Sequence, residues 1–285
     1  MNQNLKILFI GGDKRQIYAA DFLKAKGFDV CKTALEKDFK SFDEYLEQIY
    51  DVFVLPAPVS KDKKTIFAPL CENSFSTKEF LRFSPPKAII GGGFDIFENK
   101  FFDTKTTKVF DLLKSDEYNT LIAEASAEGA IFTTALQTKT NISGSEILVA
   151  GFGKIGKLLA IKLKNLNAKI YVAARSEKDR SLAKVMGFEP VDFFEISALA
   201  KKFDNIFNTV PSLVITKEII KNLKKDCIIT DVASAPGGTD FETAERFGIK
   251  TLWELGIPGR YAPKTSGEII AQTVIKISNG INSPI

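Results

Sequence analysis

Glu146-Ile-Leu-Val-Ala-Gly151-Phe-Gly153-Lys-Ile-Gly156-Lys-Leu-Leu-Ala-Ile161 reads as a buried strand, a tight turn and the start of a helix. Each glycine of the Gly-x-Gly-x-x-Gly spacing has its own duty. Gly151 permits the sharp turn, Gly153 lets backbone amides approach a pyrophosphate, and Gly156 lets helix and strand pack closely. The helix start adds partial positive charge directed at the same point. Gly151, Phe152, Gly153, Lys154, Ile155 and Gly156 are therefore expected to hold a dinucleotide. The plainer alternative is a glycine-rich turn that holds no ligand.

The following apolar run, Lys169-Ile-Tyr-Val-Ala-Ala174, ends in Arg175-Ser176. An NAD site usually carries an acidic residue at this point, about 20 residues beyond the motif, to hold the ribose hydroxyls. A guanidinium and a hydroxyl there suit a 2′-phosphate instead, which favours NADP, with NAD as the alternative. Arg175 could also be a solvated surface cation, and Glu177 supplies an acid close by. Ligands of open α/β sheets sit beyond the carboxyl ends of the strands. Asn208, Thr209, Val210, Pro211 and Ser212, together with Ala233 and Ser234 from Asp231-Val-Ala-Ser-Ala235, are expected beside the same cofactor.

Outward from this unit, short apolar runs at Lys6–Ile10, Val52–Leu55, Ala88–Ile90, Ile147–Ala150, Ile170–Ala173, Asn205–Asn208 and Cys227–Asp231 alternate mostly with helix-length amphipathic stretches. That alternation predicts an α/β protein. The pattern starts twice, after Gly11-Gly12 and after Gly151, so two doubly wound, Rossmann-like domains are expected, a number that 285 residues accommodate. The expected boundaries are 1–122, joined by a C-terminal helix from 266–285, and 123–265. A connecting helix or helix pair is predicted over Glu117–Thr138. The spacing of Ile269, Ile270, Val274, Ile275 and Ile277 predicts a last helix with one buried face that returns to the first domain.

Composition narrows the chemistry. The net charge of +4 is spread along the chain and argues against nucleic-acid binding. Cys31, Cys71 and Cys227 are isolated and odd in number, which disfavours disulfide frameworks and thiolate metal sites and suits a reducing cytoplasm. No metal site is expected. The N-terminus holds no apolar stretch long enough for a signal peptide or membrane span. Histidine is absent altogether, so any acid–base work falls to Lys, Tyr, Asp, Glu or water.

Gly256-Ile-Pro-Gly-Arg-Tyr-Ala-Pro-Lys-Thr-Ser-Gly267 places two cations, a phenol and hydroxyls directly before the last helix. Arg260 and Lys264 could hold substrate carboxylates, and Thr265 or Ser266 could cap the helix. The alternative is a rigid crossover loop. In the first domain, Gly11-Gly12-Asp13-Lys14-Arg15-Gln16 lacks the third glycine of a dinucleotide turn and reads as substrate-side, with Asp13 orienting Arg15. A solvated helix start is the competing reading. Gly91-Gly92-Gly93 marks either a close backbone approach to a ligand or a plain loop.

Ile10–Gln16, Ala127-Glu-Gly129, the Gly151 turn, Ala174-Arg-Ser176, Asn208–Ser212, Asp231–Phe241, Gly256–Gly259 and Ala262–Thr265 together resemble the A-subunit family of dipicolinate synthase, over nearly the whole length. The resemblance implies a D-2-hydroxyacid-dehydrogenase-like arrangement and a partner, the flavoprotein-like B subunit of dipicolinate synthase. It also implies NAD(P)-linked oxidation of a dihydrodipicolinate-type ring to pyridine-2,6-dicarboxylate in the cytoplasm of a sporulating cell. The expected substrate is a small dicarboxylate lying between the domains, contacted by Asp13, Arg15, Gln16, Arg260, Lys264 and Thr265. Lys264 or Tyr261 is the expected base, with Glu128 behind them. A homo-oligomer is expected. Two readings compete: a D-2-hydroxyacid dehydrogenase, although such enzymes use a histidine that this chain lacks, and a regulatory subunit that binds the nucleotide without turnover.

Overall fold

Alternation along Lys6–Ile10 divides its side chains between two cores: Ile7 and Phe9 enter one, Leu8 and Ile10 the other. That is the behaviour of a strand buried on both faces. The computed structural model, which describes residues 5–97 and 106–281, divides into Met1–Ile122 with Ala262–Ile285 and Ala123–Tyr261. The first unit begins with β1 (Lys6–Ile10), α1 (Lys14–Ala25), β2 (Asp29–Thr33), α2 (Asp43–Leu46), β3 (Val52–Val54), β4 (Ala88–Gly91) and β5 (Lys108–Asp111). Its strands pair in parallel in the order β2-β1-β3-β4-β5, the flavodoxin-like doubly wound order.

A single helix, α3 (Asp116–Ala135), occupies the stretch read as a helix or helix pair. The second unit continues with β6 (Glu146–Ala150), α4 (Lys154–Asn165), β7 (Lys169–Ala173), α5 (Glu177–Val185), β8 (Glu189–Val191), α6 (Ile196–Leu199) and β9 (Asn205–Asn208). Then come α7 (Lys217–Ile220), β10 (Ile228–Asp231), α8 (Phe241–Arg246), β11 (Lys250–Trp253) and α9 (Ile257–Tyr261). Its parallel order, β11-β10-β9-β6-β7-β8, is the dinucleotide-binding order, and it reverses direction between β6 and β9. Leu148 and Ala150 of β6 face one core and Ile147 and Val149 the other.

The last helix, α10 (Pro263–Ile281), belongs to the first unit and starts earlier than expected. Pro263 takes the first helical position, where its missing N–H costs nothing. Thr265 and Ser266 consequently lie in the first turn and not at a cap, with the Ser266 N–H donating to the Ala262 carbonyl. Ile270, Ala271 and Val274 share a core with Ala19, Ala20 and Leu23 of α1. The opposite face of that sheet is covered by short segments whose rings interlock edge to face, Phe42 with Phe75 and Phe83, and Phe53 with Phe83.

All seven strands expected from apolar runs are present, and the four not anticipated are β2, β5, β8 and β11, the two edges of each sheet.

Candidate functional site

The turn after β6 is built against the start of the β9 loop. Gly151 has φ +97°, and a Cβ there would collide with the Thr209 hydroxyl; a Cβ at Gly156 would overlap the Gly151 carbonyl. Thr209 is fixed in turn, its N–H and its hydroxyl both donating to the Ala150 carbonyl at 2.9 and 3.0 Å. Gly153 differs, since a Cβ added there meets nothing within 4 Å. Gly153 is also the residue preceding α4, where no described side chain caps the helix and no acid lies in its first turn. The combination is a cradle open to an anion, and a pyrophosphate fits it.

Beyond the turn lies a cavity of about 430 Å³ bounded by Gly151, Phe152 and Gly153 on one side, Ala174, Arg175, Ser176 and Asp179 on another, and Phe193 with Val210, Pro211 and Ser212 on the rest. The Arg175 guanidinium donates to the Ser212 hydroxyl at 3.1 Å. Ser176 caps α5: its hydroxyl accepts from the Asp179 N–H at 3.0 Å and donates to the Asp179 carboxylate at 2.7 Å. Arg180 reaches back and donates to the carbonyls of Ala174 and Arg175, both at 2.7 Å, while pairing with Asp192 at 2.6 Å. The backbone at the carboxyl end of β7 is thereby pinned.

Beneath the cavity, Asn208 and Asp231 are fully buried. The Asp231 carboxylate accepts from Asn208 Nδ2 (2.8 Å), the Ala233 N–H (3.0 Å), the Gly238 N–H (2.9 Å) and the Thr239 hydroxyl (2.7 Å). A buried carboxylate is tolerated when donors surround it. The structure therefore gives Asn208 a bracing position under the Val210–Ser212 loop. Ala233 and Ser234 lie outside the cavity lining, as do Lys154 and Ile155.

The substrate-side residues fall into two groups. In the first unit the Gly11 N–H donates to the Thr33 carbonyl at 3.0 Å, just as the Gly151 N–H donates to the Ala173 carbonyl at 2.9 Å. The two turns part at the next residue, where the Gly12 N–H donates to the Phe67 carbonyl at 2.7 Å and no described backbone carbonyl takes the Phe152 N–H. Asp13 caps α1 and holds Arg15 in a two-pronged pair, Nε at 2.9 Å and Nη2 at 2.9 Å. Burial pulls the Arg15 guanidinium down, but Asp13 and Tyr118 outweigh it and hold it above its ordinary value. Gln16 is buried, donating to the Leu55 carbonyl at 2.8 Å and leaving Oε1 without a hydrogen-bond partner. Lys264 and Thr265 are exposed in the first turn of α10, which approaches α1 so closely that a Cβ at Gly267 would stand 2.5 Å from the Arg15 carbonyl.

In the second unit Arg260 and Tyr261 share a cavity of about 340 Å³ with Phe132, Thr133 and Ile257. The Tyr261 ring lies 5.6 Å from Phe132, and the Arg260 guanidinium is taken by the Glu254 carboxylate and the Leu255 carbonyl. Glu128 pairs with Lys162 at 3.0 Å. The Glu124 hydrogen bond, with Glu128 adding to it against burial, holds that ammonium above its ordinary value. This cavity shares no lining residue with the one beside Gly151. Gly91–Gly93 approaches protein instead of open space, for a Cβ at Gly92 would stand 2.7 Å from Leu113 and 2.8 Å from Ala57.

Residues 6–113 match the N-terminal domain family of the dipicolinate synthase A subunit, and residues 118–235 match D-isomer specific 2-hydroxyacid dehydrogenase, NAD binding domain. The dipicolinate synthase A subunit of Bacillus subtilis (strain 168) is 30% identical over 290 residues, covering 97% of each chain. The chain belongs to the dipicolinate synthase A-subunit family. The crystal structure of a family member from Bacillus halodurans superposes with a TM-score of 0.88 at 26% identity, covering 100% of both chains. D-lactate dehydrogenase from Escherichia coli shares the fold alone, with a TM-score of 0.64 at 15% identity over 96% of each chain. Two parallel-sheet α/β domains of the D-2-hydroxyacid dehydrogenase type are thus the fold of this family member. Its second half is a nicotinamide-dinucleotide domain of the oxidoreductase kind.

Sequence reading missed Asp179, Phe193 and Arg180. Asp179 carried a usable signal, because Ser176 followed three residues later by an acid is a capping pattern that turns the acid back toward the strand end. Phe193 and Arg180 carried none, since their places depend on how β8 and α5 pack.

Proposed function

We propose that this chain is the component of a dipicolinate synthase that oxidises a dihydrodipicolinate-type ring to pyridine-2,6-dicarboxylate. The proposed cofactor is NADP, with NAD as the alternative. The observation that carries the reaction is the 30% identity to a dipicolinate synthase A subunit along 97% of the chain; what supports NADP is Arg175, a guanidinium where a ribose-binding acid would stand. Gly151, Gly153 and Gly156 with the start of α4 would hold the pyrophosphate, and Arg175 with Ser176 the 2′-phosphate. When bound, the nicotinamide supplies a hydride acceptor.

Oxidation of the ring removes one hydride and one proton, leaving the aromatic pyridine. The chain's own residues have to grip two carboxylates and accept that proton. Arg15 is largely neutralised by Asp13, so Lys264, exposed and on a helix start, is the stronger cation for a carboxylate, with the Thr265 hydroxyl offering a hydrogen bond and the Gln16 Oε1 able only to accept one from a substrate donor. Arg260 can contribute by exchanging Glu254 for substrate. Tyr261 takes the proton if Lys264 stays protonated to hold a carboxylate; Lys264 takes it only as the neutral amine, which leaves that carboxylate to Arg260, and Glu128 acts behind them. Correct orientation supplies most of the acceleration, since aromatisation itself runs downhill. The protein works beside the flavoprotein-like B subunit of dipicolinate synthase, as a homo-oligomer, in the cytoplasm of a sporulating cell.

Full-length protein, with and without the B subunit, mixed with freshly generated dihydrodipicolinate and NADP should raise the absorbance of both NADPH and dipicolinate. Lys264→Ala should abolish turnover and leave nucleotide affinity within about twofold, since the two roles rest on separate groups. Unchanged turnover removes Lys264 from the mechanism, and a wild-type chain that shows no saturable heat with either nucleotide overturns the whole reading.

A further inference from the structure

The adenosine end of the cavity carries two opposed charges. Arg175 and Asp179 both line it, and each is tied to a different hydroxyl, Arg175 to Ser212 at 3.1 Å and Asp179 to Ser176 at 2.7 Å. Arg175 is open to solvent, whereas Asp179 is only partly exposed. The Asp179 backbone N–H is bonded to the Ser176 hydroxyl and its carboxylate is gripped by the same group, so this side chain has little freedom to swing away. The backbone of the Arg175 segment is equally fixed, because Arg180 holds the carbonyls of Ala174 and Arg175. The Asp179 carboxylate is thus held at the cavity, while Arg175 is anchored by its backbone and by one hydrogen bond to Ser212.

From this geometry we infer that Asp179 is the residue that sets the choice between the two nicotinamide dinucleotides. The inference rests on the dinucleotide reading given above and adds the group that opposes Arg175. A ribose 2′-hydroxyl can donate to the Asp179 carboxylate, which favours NAD. A 2′-phosphate brings two negative charges toward that carboxylate and competes with it for the Ser176 hydroxyl, which offsets the attraction of Arg175. Arg175 alone would make a site selective for NADP; Arg175 with Asp179 makes one that accepts both, with a ratio that one carboxylate controls.

Calorimetry on the full-length chain with NAD and with NADP tests this, comparing wild type with Asp179→Asn and Asp179→Ser. Asparagine keeps an acceptor for the Ser176 hydroxyl and nearly the same shape, so α5 stays capped while the charge goes. NADP should then bind about tenfold more tightly and NAD about threefold more weakly, the scale of one screened charge and one charge-assisted hydrogen bond. The serine variant should move the ratio the same way. An NADP-to-NAD affinity ratio that stays within about twofold of wild type, whether both affinities hold or both fall together, assigns Asp179 to capping alone and overturns the inference. A ratio that moves toward NAD overturns it too. If the wild-type chain binds neither nucleotide, the dinucleotide reading itself fails, a result distinct from an unmoved ratio.

Discussion

Single atoms decide the behaviour of the two glycine turns in this protein. The Gly151 and Gly11 amides are both spent on the neighbouring strand, at Ala173 and Thr33, but the next amide differs: Gly12 is bonded to Phe67, whereas no described backbone carbonyl takes the amide of Phe152. The helix starts differ in the same sense. Asp13 places a carboxylate on α1, which neutralises its start internally, whereas α4 opens behind Gly153, with no described side chain capping it. A β-carbon is enough to spoil the second turn. Gly156→Ala would drive its methyl into the Gly151 carbonyl, which is backbone and cannot rotate away. The variant should lose about 1–3 kcal/mol of stability, the usual range for overpacking, and its dinucleotide affinity should fall at least about tenfold as the cradle opens. Thermal unfolding and calorimetry measure the two effects separately. Wild-type affinity in a folded variant would show that the turn does not hold the pyrophosphate.

At the scale of elements, what could be read from the residues follows burial. Interior strands such as IIG at Ile89–Gly91 or ILVA at Ile147–Ala150 are apolar on both faces and announce themselves. Edge strands have one side in water, so β2 reads DVCKT and β11 reads KTLW, sequences no more apolar than a loop. The edge strand β8 even contains Pro190, which an interior strand would reject. The cofactor turn was legible because its glycines answer to local backbone geometry. Asp179 was legible in principle through its capping pattern with Ser176, but Phe193 was not, because it reaches the cavity through the packing of the segment after β8. The same dependence on packing governs α10. Its Gly267 touches the backbone of α1, with a virtual Cβ 2.5 Å from the Arg15 carbonyl and 3.0 Å from the Ala19 nitrogen. Gly267→Ala should therefore force the two helices apart at a cost of about 1–3 kcal/mol. Dinucleotide affinity should not change, because every residue lining that cavity belongs to the other unit. Loss of nucleotide binding in a folded Gly267→Ala protein would refute this separation.

For the molecule as a whole, the absence of histidine from all 285 residues constrains how turnover responds to pH. A base must be deprotonated to accept the ring proton. Raising the pH increases the competent fraction of such a base, so kcat should climb with pH until the base is fully deprotonated, and no part of that climb can belong to an imidazole. Carboxylates reinforce the sign. Those held by donors, such as Asp240 bonded to the Thr243 N–H and Glu218 bonded to its own N–H and to the Thr216 hydroxyl, lie below their ordinary values and stay ionised throughout that climb. Their contribution to stability is present above the unfolded carboxylate range and is lost only on acidification, so these carboxylates do not change stability across the window in which the rate is measured. Steady-state rates from about pH 6 to 10, at saturating nucleotide, give the profile. Comparing Lys264→Ala with Tyr261→Phe then assigns its limb, since the variant that flattens the climb has lost the base. A profile that is flat across the range would exclude both residues and leave a carboxylate or a bound water to take the proton.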